Sequence, residues 1–237
     1  LPEDAIAPDG IRSRGQSHEP AGYDRPVSGR GYLEIVDQCE SWLERHGDSH
    51  LGVGWPDKDD ADRRYEVMTD LVRGEARDTT VSLLDFGCGT AQLWQYIQDQ
   101  DITQIAYSGL DVSPQFLDVA GRKFPTRTFY CLDMLEDGGA SLPTFDYIVM
   151  NGVFTMKCGL SFDEMLAYFE RLLGLVWSKA GRGIAFNVMS KHVDWERDDL
   201  FHLPLDTIAT IVIRELTRKF VIRNDYGLYE NTIYVYR

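Results

Sequence analysis

A strand, a glycine turn and a helix follow one another without a spacer at Ser82-Leu83-Leu84-Asp85-Phe86-Gly87-Cys88-Gly89-Thr90-Ala91. Few folds admit such a junction. The apolar run has to be buried, and Gly87 and Gly89 let the backbone double back where a Cβ would obstruct it. The first N–H groups of the next helix then point at whatever lies over the turn. A G-x-G turn alone is a weak signal. The dinucleotide version needs a small residue three positions after the second glycine, and Gln92 stands there, so that fingerprint fails.

The same grammar continues downstream. Val81–Phe86, Ile105–Leu110, Thr128–Leu132, Tyr147–Met150 and Ile184–Val188 read as short apolar strands. Ala91–Gln98, Pro114–Lys123 and Phe162–Trp177 read as amphipathic helices between them. Ser113-Pro114 supplies a cap with proline at the first helical position, and Ser161-x-x-Glu164 is a capping box. This alternation predicts an α/β fold, with a doubly wound parallel sheet covered on both faces. After a helix around Leu205–Leu216 the rhythm breaks. Phe220–Arg223 and Thr232–Tyr236 are too close for a helical crossover and must form an antiparallel hairpin.

Two helices precede the sheet. Tyr32–Arg45 places apolar residues at helical spacing, and Asp57 to Asp60 cap a second helix whose stripe is Tyr65, Met68, Leu71 and Val72. The organisation expected is an arm over 1–30, either mobile or a lid that orders on ligand, a helical cap over 31–78 and the α/β domain over 79–237. The aromatic-rich cap helices also offer a surface for a homodimer.

Charge narrows the partners. Against 24 Lys+Arg stand 38 Asp+Glu, a net charge of −14, which repels phosphate backbones and anionic lipid. Nucleic acid is therefore disfavoured, and no apolar run approaches the ~20 residues of a membrane span. Cys39, Cys88, Cys131 and Cys158 are widely spaced, which suits neither a disulfide framework nor a metal site and fits a reduced, cytoplasmic setting. Leu1–Gly10 is acidic without an apolar stretch and does not read as a secretory signal; it also lacks an initiating Met.

Acidic and amide side chains recur where the strands end. Asp111 closes the second strand about 20 residues after the turn, the place where a carboxylate grips ribose hydroxyls. Asp133 ends the third strand, and Asn151-Gly152 ends the fourth before an irregular Val153–Leu160 loop. All fall at the carboxyl edge, where open α/β sheets bind ligands.

With LLDFGCGTA, GLDVS, CLDM and FDYIVMNGVF in this order, residues from about 55 to 237 resemble the class I S-adenosylmethionine-dependent methyltransferases. The resemblance implies a Rossmann-like seven-stranded sheet whose last strand inserts antiparallel, and S-adenosyl-L-methionine as cofactor. It implies that Gly87, Cys88 and Gly89 pass the methionine part with Asp85 near its amino group, and that Asp111 holds the ribose. Val112 would pack on adenine, Asp133 meet its amino group and Met134 lie beside the ring, although Val112 and Met134 also suit plain core positions. Asn151 and Gly152 would line the methionyl end, and Arg64 on the second cap helix would supply a cation for the cofactor carboxylate. Trp55 and Tyr65 suit either an acceptor wall or buried packing.

For the acceptor, candidate acid–base groups are His192, just past the fifth strand, and the hairpin-loop residues Tyr226 and Glu230. With Asp225 and Tyr229, that loop suits a polar, cationic small molecule. The expected activity is methyl transfer to an O or N nucleophile of a small molecule, such as a sugar, amino sugar or other secondary metabolite. A tRNA or protein methyltransferase and a non-catalytic cofactor-binding subunit stay open as alternatives.

Overall fold

The computed structural model describes residues 30–76 and 78–237. The arm expected over 1–30 thus lies outside the described residues except for Arg30. Two helices, α1 (Leu33–His46) and α2 (Lys58–Thr69), come first, the second extended by a 3-10 turn over Asp70–Val72. Then follow β1 (Val81–Phe86), α3 (Gln92–Asp99), β2 (Ile105–Asp111), α4 (Pro114–Lys123), β3 (Thr128–Cys131) and α5 (Met134–Asp137). The remainder is β4 (Phe145–Phe154), α6 (Phe162–Lys179), β5 (Ala180–Met189), α7 (Leu205–Glu215), β6 (Phe220–Arg223) and β7 (Glu230–Tyr236).

One seven-stranded sheet results, in the order β3-β2-β1-β4-β5-β7-β6. The first five strands are parallel, while β7 pairs antiparallel with both β5 and β6. The order reverses beside β1, so the β1 and β4 ends flank a topological switch point. Because β6 runs parallel to β5, the β6–β7 hairpin loop falls at the same carboxyl edge as the glycine turn.

Period-two alternation divides each central strand between two cores. Leu84, Phe86, Ile148 and Met150 face one layer with Phe169 and Leu173 of α6 and Ile208 of α7. Val81, Leu83, Tyr147 and Val149 face the other, with Met68 of α2 and Leu93 and Ile97 of α3. Phe154, Phe169 and Phe186 are fully buried in edge-to-face contact, with Phe154 and Phe169 centroids 4.8 Å apart. Each such ring contributes about 2–3 kcal/mol by leaving water.

The capping signals act as read. Ser113 accepts from the Phe116 N–H, and Ser161 and Glu164 form the reciprocal box. Two departures affect the site. Strand β4 runs on to Phe154 instead of breaking after Met150, because its register against β5 shifts between Met150 and Phe154, where Gly152 takes φ +85°. Residues 134–137 form the short helix α5, capped by the Asp133 side chain, which accepts from the Leu135 N–H at 2.9 Å.

Candidate active site

The glycine turn is built from backbone. Gly87 and Gly89 adopt φ of +73° and +53°, and the N–H groups of Gly87 and Cys88 both donate to the Leu110 carbonyl at 2.8 and 3.0 Å. Asp111 braces it from β2: one carboxylate oxygen accepts from the Gly89 N–H and the other from the Ser113 N–H, each at 2.9 Å. The Cys88 side chain turns inward over Gly109, where an added Cβ would stand 2.7 Å from Sγ. Burial pushes the Cys88 thiol up, so it serves as a small apolar group and not a nucleophile.

Asp85, the last polar residue of β1, is buried and accepts from the Tyr107 hydroxyl at 2.8 Å. Burial pushes its carboxyl up to about 7, with the Tyr107 hydrogen bond opposing and Asp111 adding to the rise. Burial likewise raises Asp111, against the backbone hydrogen bonds that favour its charge. Both carboxyls are therefore poised for a cationic or hydroxylic partner.

A buried relay joins the cap to the sheet. Arg64 of α2 donates from Nε to Glu230 Oε1 at 2.7 Å and from Nη2 to the same oxygen. Glu230 Oε2 accepts from Asn187 Nδ2 at 2.7 Å, and Asn187 Oδ1 accepts from the Gly152 N–H at 2.7 Å. The Arg64 guanidinium lies 4.2 Å over the Trp55 ring. Two buried polar atoms beside this relay have no partner among the described residues: Arg64 Nη1 and Asn151 Oδ1. A donor and an acceptor left orphaned on one cavity wall are what the carboxylate and ammonium of an amino acid would satisfy.

The opposite wall comes from α1, the loop after β4, α6 and the segment after β5. Tyr32 stacks on Tyr168 with ring centroids 5.4 Å apart, and its hydroxyl donates to Asp133 at 2.5 Å. Ile35, Met156, Arg197 and Leu200 complete that side of a cavity of about 370 Å³.

The structure brings Arg64, Asp85, Gly87, Cys88, Gly89, Asp111, Val112, Asn151, Gly152 and Glu230 onto the wall of this one cavity. Four expected residues are not on it. Asp133 spends its carboxylate on the Tyr32 hydroxyl and the Leu135 N–H, and Met134 is buried in the core beneath Gly139, because the helix α5 turns it inward. His192 is exposed, with its N–H on Ser190 Oγ. Tyr226 is buried away from the cavity, its hydroxyl 2.8 Å from Thr232 Oγ1. Glu230 lines the cavity, but both its oxygens are engaged, which corrects its reading as an acid–base group. The cationic-acceptor reading of the hairpin loop also weakens, since Asp225 pairs with Arg223 and Glu230 with Arg64. Sequence reasoning missed Tyr32, Tyr168 and Arg197; none sits in a motif, and their meeting depends on contacts far apart in the chain.

A sheet of this order, with a glycine turn and strand-end carboxylates sharing one cavity, is similar to that of the class I S-adenosylmethionine-dependent methyltransferases. Residues 84–175 match the family model described as a methyltransferase domain. A protein of Mycobacterium tuberculosis assigned as a methyltransferase, Rv1506c, is 29% identical over 159 residues, covering 65% of this chain and 92% of its own. Among solved structures, magnesium protoporphyrin IX methyltransferase of Synechocystis with bound cofactor superposes with a TM-score of 0.60 at 15% identity, covering 89% of this chain and 98% of its own. The plantazolicin methyltransferase BpumL superposes at 0.58 with 13% identity, covering 88% and 93%. At these identities the superpositions establish the fold alone. No helix among the described residues is long and apolar enough to cross a membrane.

Proposed function

We propose that the enzyme transfers the cofactor methyl group to an O or N nucleophile of a small molecule. The observation that carries this reading is the enclosure of the glycine turn, the strand-end carboxylates and an apolar, aromatic wall in one cavity of about 370 Å³. That volume suits a small ligand, and the wall residues come from the cap as well as the sheet.

In this reading the orphaned Arg64 Nη1 takes the cofactor carboxylate, while Asn151 Oδ1 and Asp85 accept from its ammonium. Arg64 suits a planar bidentate partner because Glu230 already fixes its other edge. Asp111, with both oxygens braced by backbone N–H groups, accepts from the ribose hydroxyls, and Val112 packs on the base. When bound, the cofactor supplies a methyl group already activated on a sulfonium sulfur. The protein therefore has two tasks, to align the acceptor for in-line attack and to exclude water. Tyr32, Tyr168 and the Trp55 ring under Arg64 perform the second.

Titration calorimetry with S-adenosylhomocysteine tests the assignment. Micromolar binding is expected, weakened by about a hundredfold in Asp111→Ala, since a braced carboxylate with two ligand hydrogen bonds contributes roughly 3 kcal/mol. No heat with the parent protein, or equal affinity in the variant, would remove the reading.

A further inference from the structure

Away from the glycine turn, the cavity has a chemistry of its own. Its acceptor side is formed by Tyr32, Ile35, Met156, Tyr168, Arg197 and Leu200, all apolar or aromatic except Arg197. The carboxylates that line the cavity, Asp85, Asp111 and Glu230, belong to the strand ends, and Glu230 is matched by Arg64. Arg197 is the charged group on the lining of the acceptor side; its ion-pair partner Asp199 stands off the cavity wall.

Among the described residues that side also holds no free proton acceptor. Among the described residues no histidine lines the cavity. The Tyr32 hydroxyl is committed to Asp133, and burial raises the hydroxyls of Tyr32 and Tyr168 still further from ionisation. Cys39 lines the cavity too, and burial pushes its thiol up to about 12. The Thr155 hydroxyl donates to the Gly152 carbonyl at 2.9 Å. On the acceptor side an alcohol would find no free base among the described residues, and an ammonium would meet the Arg197 guanidinium. An acceptor that arrives already anionic needs neither a base nor a proton path, and it complements the guanidinium.

Arg197 is mounted for that task. Asp199 accepts from its Nε at 3.0 Å and from Nη2 at 2.5 Å, which fixes the plane of the fork and leaves Nη1 without a partner among the described residues. The backbone beneath it is pinned on both sides. Its N–H donates to His202 Nε2 at 3.3 Å, the other ring nitrogen of His202 lies 2.6 Å from the Ser190 carbonyl, and the Phe201 N–H donates to the Thr155 carbonyl at 2.9 Å. The Arg197 side chain is 57% exposed, so it stands at the mouth, where an entering anion keeps part of its hydration.

We propose that the acceptor is a carboxylic acid on an apolar or aromatic skeleton, held by the Arg197 guanidinium and methylated on oxygen to give a methyl ester. The inference rests on the methyl-transfer reading above. In the step itself a carboxylate lone pair forms the O–CH3 bond as the C–S bond breaks. The bonding pair leaves on sulfur, which becomes a neutral thioether, and no proton changes hands.

The test uses matched skeletons: 3-phenylpropanoate and decanoate, each with the alcohol and the amine of the same carbon frame. Binding is measured by calorimetry on the protein saturated with S-adenosylhomocysteine, and transfer with a radiolabelled methyl donor. The carboxylates should bind about tenfold or more tighter than their alcohols and amines. Arg197→Gln should remove about that factor for the carboxylates and leave the affinity for S-adenosylhomocysteine unchanged, with Arg197→Lys restoring part of it. The labelled product should release methanol in alkali, as an ester does and an ether or methylamine does not. The inference is overturned if neither carboxylate binds, if alcohols or amines bind as well, if Arg197→Gln makes no difference, or if the label is stable to alkali. S-adenosylhomocysteine binding separates the two failures. Its loss in the parent protein takes down both readings, whereas its presence with any of those results takes down this one alone.

Discussion

The two sides of the cavity are built by different means. On the sheet side, the cavity lining is fixed by backbone: the Gly87 and Cys88 N–H groups on the Leu110 carbonyl, and Asp111 on the N–H groups of Gly89 and Ser113. On the cap side the lining is side chains from elements far apart in sequence, held by other side chains, such as Tyr32 on Asp133 and Arg64 on Glu230. Backbone register tolerates little variation, while a side-chain wall can be re-cut without disturbing the strands beneath. In the proposed reading, the division puts most of the donor binding on the part fixed by backbone and acceptor choice on the part built from side chains.

The Arg64–Glu230 pair is where the two sides meet, so breaking it is the largest expected effect. Glu230→Ala strands a buried guanidinium and should cost about 3–5 kcal/mol, read as a fall in Tm of roughly 10 °C. The pairing of Arg64→Met with Glu230→Leu should recover most of that stability while the affinity for S-adenosylhomocysteine stays low. Equal stability of the parent and Glu230→Ala would show that the cap and the sheet are not coupled through this pair.

Asp85 sharpens the contrast from the sheet side, because its environment suits ligand better than the empty fold. Its carboxyl is raised from 3.8 to about 7, so the folded state holds a proton that the unfolded state releases. The sign follows from linkage: stability falls as pH climbs from about 4 to about 7 and is flat above, the reverse of a salt-bridged carboxylate. Asp85→Asn should remove that slope and stabilise the ligand-free protein near neutral pH by on the order of 2 kcal/mol, while weakening S-adenosylhomocysteine. Urea titrations across this range read the first effect and calorimetry the second. An unchanged slope would mean that Asp85 is ionised in the free fold.

The smallest effect is expected at His192, which is exposed and off the cavity wall. His192→Ala should leave turnover within about twofold, as surface changes away from a site usually do. A large loss in steady-state rate would bring this residue back to the acceptor side and undo the division drawn above.

How much could be read in advance follows the same line. The turn, the caps at Ser113 and Ser161 and the acidic strand ends were legible because each depends on residues within a few positions of one another. The antiparallel hairpin was legible from loop length. Asp133 and Met134 were misplaced because a four-residue helix has too few turns to show a period, and it converts the motif aspartate into a cap and the methionine into core. Tyr32 reads as the start of a helix, and nothing near it signals a partner 101 residues away. His202 is enclosed because residue 202 bridges Met189 at the end of β5, a long-range pairing that its neighbours do not encode.

The reversed direction of β7 has a practical corollary. The strand begins at Glu230, inside the cavity, and closes against the start of β5, where the Arg237 side chain reaches the carbonyls of Ala180 and Trp177. A fluorophore or resin linkage grafted there would hang from the floor of the molecule and leave the entrance unobstructed.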